Sequence, residues 1–471
     1  MFFYKFPKRR STPETIERLL PPELAEVVNG LEVSTELSPV IFYRAAPGAP
    51  LQLDAIATHY IAHEYHGSAR STKQAVASSL CGWLNFLAGR HPVRAHKSAP
   101  ATGWEPLPHP WNNRTPKGYL DATQGDFGAW QGYQQAHLAS ATRQKNQTFV
   151  KGFEDWLLAN QHIKKSPVRT KTVQTQHGPV QKTVGPRPVK SASTSRLPFT
   201  PEEVRDLRAA LATPSGAGTA AGQVRDPAIV RFMTATGVRL KEAMYLTTYE
   251  IPPPNTTGNF FVPFTVPGAL TKSHATRVSD VAQTGLDAAR NYIAGDRQDV
   301  IDNRNGKPWK PKKGPAVIPI DENRTDAKYV TLLSPYTQQW TTFSWADVDA
   351  DTRKLLVNAD GQPICIWLTR HGSPLRPDTF RATFKAAVLA VHATHPTVGP
   401  GTHVPHSLRH TFAVMKATWL WKTAAYPVPH SAVDFVQLDL GHASQETTTR
   451  TYLAGLNRLR NHTANDIEWG F

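Results

Sequence analysis

Four short segments in the second half of the chain carry side chains that could act on a phosphate ester. They are Thr236-Gly237-Val238-Arg239 with Glu242 three residues on, His406-Ser407-Leu408-Arg409-His410, Leu440-Gly441-His442, and the Thr-rich run from Thr447 to Tyr452. A guanidinium stays charged at any pH a protein meets, and its fork matches two oxygens of a phosphate. A pair of them, Arg239 and Arg409, could stabilise the extra negative charge of a five-coordinate phosphorus. The phenol of Tyr452, with an intrinsic pKa of about 10, needs local cations and a base to react as a phenolate.

The surrounding pattern predicts elements able to hold these groups. Thr200, Pro201 and Glu203 form a helix start, with a capping box and proline at the first helical position. Helices are predicted at 201–212, 226–236 and 239–247. A β-prone stretch with Phe260, Phe261, Val262, Phe264 and Val266 leads through Lys272 to Arg277-Val278. Residues 296–360 read as a long, irregular, Pro- and Lys-rich insertion. Helices resume at 377–393 and 406–421, then at 431–440 and about 445–453. In the helix from 406, Leu408, Phe412, Met415 and Trp419 form one apolar stripe, while His406 and Arg409 share another direction.

The first half reads differently. Residues 1–47 look like an arm rather than a core. A helical bundle is predicted over 48–163, in which Val76, Leu80, Trp83 and Leu87 repeat at helical spacing and Gly89 ends the helix. A Pro- and Asn-rich loop covers 95–120, and further helices are predicted at about 122–136 and from Ser140. The segment 164–198 holds Lys164, Lys165, Arg169, Lys171, Lys182, Arg187, Lys190 and Arg196 with no Asp or Glu. It reads as a linker, and one this basic would lie well along a phosphate backbone.

Lys and Arg number 53 against 37 Asp and Glu, a net charge of +16, so a polyanion is the expected partner. Two cysteines build no disulfide framework, and no apolar run is long enough for a membrane span. No signal peptide is recognised at the start, and a cytoplasmic setting is expected. His403, His406, His410 and His442 could be read as metal ligands. Carboxylates at ligand spacing are missing around them, and the basic surroundings oppose a divalent cation. Neither metal nor cofactor is expected.

In this order and spacing the four segments resemble the catalytic domain of the tyrosine recombinases, the phage integrase family. The resemblance covers roughly 199–460, and 48–163 is more loosely similar to that family's core-binding domain. It implies a mainly α fold with a small antiparallel sheet (α+β), a catalytic domain over 199–471, and a site-specific recombinase acting on double-stranded DNA. It assigns Arg239 and Arg409 to the phosphate, His406 to a phosphate hydrogen bond or proton transfer, His442 to a further phosphate contact, and Tyr452 to nucleophilic attack. Lys272, on the hairpin, is the implied general acid toward the leaving oxygen, and Glu242 a buttress. It further implies a tetramer on DNA, helped by accessory DNA-bending or directionality proteins, and a last segment (Leu453, Leu456, Ile467, Trp469, Phe471) that docks on a neighbouring subunit. Related outcomes of the same chemistry are a type IB topoisomerase-like enzyme or a hairpin-telomere resolvase. A DNA-binding protein that has lost activity is the alternative of a different class.

Overall fold

The computed structural model describes residues 2–6, 39–44, 50, 52–68, 70–93, 103–168, 170–175, 178–183, 197–213, 220–256, 258–272, 274–311, 316–334, 338–399, 402–423, 436–437 and 439–440. The chain divides into two compact units, Met1–Ser193 and Thr194–Phe471. Among the described residues no helix is long and apolar enough to cross a membrane.

The first unit begins with a three-stranded antiparallel sheet in the order β1 (Phe2–Phe6), β2 (Val40–Arg44), β3 (Gln52–Leu53). Helices α1 (Ala55–Glu64), α2 (Arg70–Leu87), α3 (Gln124–His137) and α4 (Ser140–Ala159) follow. Two of these helix starts have a side-chain cap. Asp54 caps α1 by accepting from the Ala57 amide, and Thr123 and Asp126 cap α3 reciprocally. The predicted stripe of α2 is core: Val76, Leu80, Trp83 and Leu87 are all buried, and Gly89 ends the helix at φ +73°.

The predicted arm needs correction. Ile41 joins the buried cluster of the bundle, and its backbone binds Thr58 Oγ1 and the Asp54 amide. The core therefore reaches back before residue 48, because a strand paired with a segment some 35 positions away leaves no local periodicity to read. The loop 95–120 also differs in part, since β4 (Arg90–Val93) pairs with β5 (Gly103–Pro106). Within 164–198, Val168 packs into the bundle core, and β6 (Thr170–Thr175) pairs with β7 (Gly178–Thr183) as an antiparallel hairpin.

The second unit is built around α6 (Ala220–Thr236), with α5 (Pro201–Ala212), α8 (Gln283–Ala294) and α12 (Pro405–Lys422) packed on it. Helix α6 starts before the predicted 226 and carries Pro227 inside it. A short α7 (Leu240–Tyr245) leads to the hairpin of β8 (Phe261–Val266) and β9 (Arg277–Ala282). Helix α9 (Asp296–Asp302) forms the first part of the predicted insertion, and α11 (Pro377–His392) follows it.

The region 296–360 is more ordered than its composition implies. It contains β10 (Ile318–Pro319), the hairpin β11 (Tyr329–Leu333) with β12 (Trp340–Ser344), α10 (Ala350–Arg353) and β13 (Leu356–Val357). Strands β10 and β13 are parallel, which makes one of the small sheets an exception to the expected antiparallel arrangement. Arg353 is fully buried and locks the region down: it donates to Glu250 at 2.5 Å and to the carbonyls of Val348 and Trp345 at 2.8 and 2.7 Å. Among the described residues the fold is α+β, mainly helical, with sheets of two or three strands.

Candidate active site

The site is assembled where α6 ends, α12 begins and the β8–β9 hairpin closes over them. Gly237, just past α6, has φ +65°, and a Cβ there would fall 2.3 Å from the Phe412 ring of α12. Only glycine meets both demands, so Thr236-Gly237 and the helix of His406 and Arg409 pack directly together. The same contact fixes Arg409. Its side chain is 1% exposed, and Nη1 donates to the Gly237 carbonyl at 2.5 Å while Nη2 donates to the Leu440 carbonyl.

Arg239 is the residue immediately before α7, and its guanidinium is more open, at 28% exposure. Glu242, one turn into α7 and 1% exposed, accepts from Arg239 Nη1 at 2.8 Å and from the Arg239 amide at 2.7 Å. From β9, Arg277 reaches the same carboxylate with two bonds, at 3.1 and 2.7 Å. Burial raises the carboxyl pKa, but the bonds and charge of Arg277, with those of Arg239, outweigh it and bring Glu242 down to about 2. Glu242 is thus an ionised anchor that aims Arg239.

His406 is half-buried and stacks edge-on against His410, with ring centroids 4.8 Å apart. The stripe of Leu408, Phe412 and Met415 is buried as expected, but so is nearly everything from Ser407 to Thr418. The helix is enclosed all round rather than along one side. His403, among the histidines considered for a metal, is 1% exposed and packs on Phe199 at 4.6 Å.

Lys272 is exposed on the connection between β8 and β9. That connection folds back on itself: Thr271 Oγ1 donates to the carbonyls of Gly268 and Ala275, and the Gly268 amide donates to Thr276 Oγ1. The ammonium is therefore presented from a shaped turn at the end of the hairpin.

Three residues at the site were not picked out from sequence. Arg277 is one; Lys416 and Asp439 are the others. Lys416 is 1% exposed and donates to Asp439 at 2.7 Å and to the Asp280 carbonyl at 2.5 Å. Asp439 also accepts from the Asp280 amide, and its carbonyl accepts from Ser279 Oγ. Burial lifts the Asp439 carboxyl and depresses the Lys416 ammonium, each opposed by attraction to the other. This pair ties the residues just before Gly441 to β9 and α12. A lysine within an apolar helix and an aspartate two residues before a Gly-His were the available signals.

His442 and Tyr452 lie outside the described residues, as do the predicted helix at 445–453 and the last segment. So do Arg169, Arg187, Lys190 and most of the predicted 431–440 helix. Lys164 and Lys165 are exposed, and Lys171 and Lys182 are register partners in the β6–β7 hairpin.

Comparison with curated proteins finds no match. Similar solved structures include the Tn1549 transposon integrase in complex with transposon right end DNA, at 14% identity, covering 73% of this chain and 86% of that one, with a TM-score of 0.39. The XerH site-specific recombinase bound to difH substrate is 14% identical over 84% of this chain and 81% of that one, with a TM-score of 0.42. A lambda integrase dimer bound to a COC′ core site is 11% identical over 84% and 94%, with a TM-score of 0.41. The sequence profile of the Phage integrase family matches residues 198–457, a span that takes in both arginine motifs, the lysine hairpin, the Leu-Gly-His segment and the tyrosine. By that match over more than half its length, the chain belongs to the Phage integrase family.

Proposed function

We propose that this protein is a site-specific DNA recombinase that cuts and rejoins strands through a 3′-phosphotyrosine. The observation that carries the reading is the meeting of two arginine motifs distant in sequence: Arg409 bonds the carbonyl of Gly237, two residues before Arg239. Two guanidiniums held close to one backbone turn, one buried and one open, suit a phosphate that gains charge in its transition state.

In the proposed reaction the Tyr452 oxygen attacks phosphorus and the bond to the 5′-oxygen breaks. Lys272 gives that oxygen its proton, leaving a 5′-hydroxyl; His406 bonds the phosphate or assists proton transfer, and His442 adds a further phosphate contact. Attack of a 5′-hydroxyl on the phosphotyrosine reverses the step. The phosphodiester energy is kept in the covalent link, so no metal or nucleotide is used. Duplex DNA would be bound with help from Lys164, Lys165, Arg169, Lys171, Lys182, Arg187 and Lys190, in a cyclic tetramer on two sites. A mobile genetic element is the expected setting, with the protein in the cytoplasm at the nucleoid.

The test is covalent trapping on nicked duplex carrying a site enriched from a random-sequence pool. Wild type should form an adduct in EDTA, and Tyr452→Phe should form none while still binding. Lys272→Ala should cleave poorly and recover when the leaving group is a 5′-thiol, which needs no acid. An adduct that survives Tyr452→Phe sinks the assignment of the nucleophile.

A further inference from the structure

The β6–β7 hairpin is a two-stranded ribbon about 20 Å long at the usual rise per residue. None of the other described elements packs extensively on it. Its register pairs Thr170 with Thr183, Thr172 with Gln181 and Gln174 with Pro179, and between these rows Lys171 with Lys182 and Val173 with Val180. Strand periodicity puts Thr170, Thr172 and Gln174 in one row, and all three are exposed. That row and its partners hold hydroxyls and carboxamides but no charge.

A lone two-stranded hairpin is marginally stable in water. The register sets position 171 opposite position 182, both lysines, so the ribbon carries two positive charges at one level and suits a polyanion with a groove of matching size. The major groove of B-DNA is about 12 Å wide and admits a two-stranded ribbon. Gln side chains can bond adenine N6 and N7 there, and Thr can bond base edges or contact the thymine methyl.

We propose that the ribbon Thr170–Thr183 enters the major groove of duplex DNA, with Gln174 and Gln181 reading base edges and Lys171 and Lys182 serving the phosphates. This rests on the reading of the chain as a DNA recombinase and goes beyond it, because it turns a basic connecting segment into a source of sequence preference.

The experiment enriches sites from a pool of random-sequence duplexes with the full chain. Binding of wild type and variants to the enriched and the unselected duplexes is then measured. Gln174→Ala with Gln181→Ala should weaken the enriched site by about 5- to 150-fold, the range expected for lost base contacts, and leave the unselected pool unchanged. Lys171→Ala with Lys182→Ala should weaken both duplexes alike and flatten the salt slope by about 2. Replacing adenine by 7-deazaadenine in the enriched site removes a major-groove acceptor without touching the protein. It should weaken wild type but not the glutamine variant. The ribbon reading is overturned if wild type binds the enriched site tightly while neither the glutamine change nor 7-deazaadenine has an effect. It is overturned equally if the glutamine variant loses both duplexes in the same proportion. If wild type holds no duplex at all, the recombinase reading falls and the ribbon with it.

Discussion

Two buried glutamates, one in each unit, have opposite fates. Glu154 in the bundle is fully buried. Its Oε1 accepts from Trp83 Nε1 at 2.7 Å, and its Oε2 is buried with no hydrogen-bond partner among the described residues. Burial pushes its carboxyl up to about 8, against the lowering effect of the Trp83 bond. Glu242 in the second unit is equally hidden, yet two arginines hold it at about 2. Desolvation is common to both, so the cations decide the outcome. The bundle carries a neutral acid tying α2 to α4. The second unit carries an anion that holds together guanidiniums that would otherwise repel each other. Positive charge is gathered there around a fixed anion.

The largest expected effect comes from removing that anion. Glu242→Gln leaves Arg239 and Arg277 without their carboxylate and should cost about 3–5 kcal/mol of stability. Chemical unfolding followed by hydrogen exchange would locate the loss in residues 197–423. A loss below about 1 kcal/mol would show that the carboxylate does not hold the cluster. Arg277→Met, which leaves Arg239 in place, should cost less, about 2 kcal/mol. It also makes a prediction about pH. A depressed carboxyl contributes stability that is present above its ordinary pKa of about 4.5 and is lost as pH falls through about 2. With Arg277 gone, the folded-state pKa rises and that acid-sensitive window narrows from its lower end. An unchanged acid limb would break the comparison.

The smallest effect is set for Glu154. Its raised pKa means that the folded bundle holds a proton which the unfolded chain releases. Stability of the bundle should therefore fall as pH climbs from about 4.5 to about 8, then level off. Glu154→Gln can still accept from Trp83 but does not titrate, so it should flatten this dependence by about 1 kcal/mol or more between pH 5 and pH 8. Hydrogen exchange at α2 and α4 against pH is the readout. An equal slope in both proteins would mean that the carboxyl is ionised in the core after all.

Much of the site was legible because its residues cluster in short motifs. Arg239 with Glu242, and His406 with Arg409, sit three apart on one strand of chain. Capping at Thr200 and the stripe of α2 were readable for the same reason: a helix repeats its environment every three or four residues. Elements paired over long separations escaped. Strand β2 finds β1 across more than 30 residues, and the insertion is ordered by Arg353 meeting Glu250 about 100 residues upstream.

What the sequence determined by itself was the inventory and its local order: two arginines, the histidines, a hairpin lysine, a tyrosine, an excess of positive charge and a helix-rich fold. The tertiary structure decided how that inventory is held. It brought Gly237 against Phe412, gave Arg409 two backbone carbonyls, placed Arg277 on Glu242, and buried Lys416 with Asp439. Each of these depends on distance in space between groups 20 to 180 positions apart. Neither periodicity nor composition encodes such distances, and only the packed core sets them.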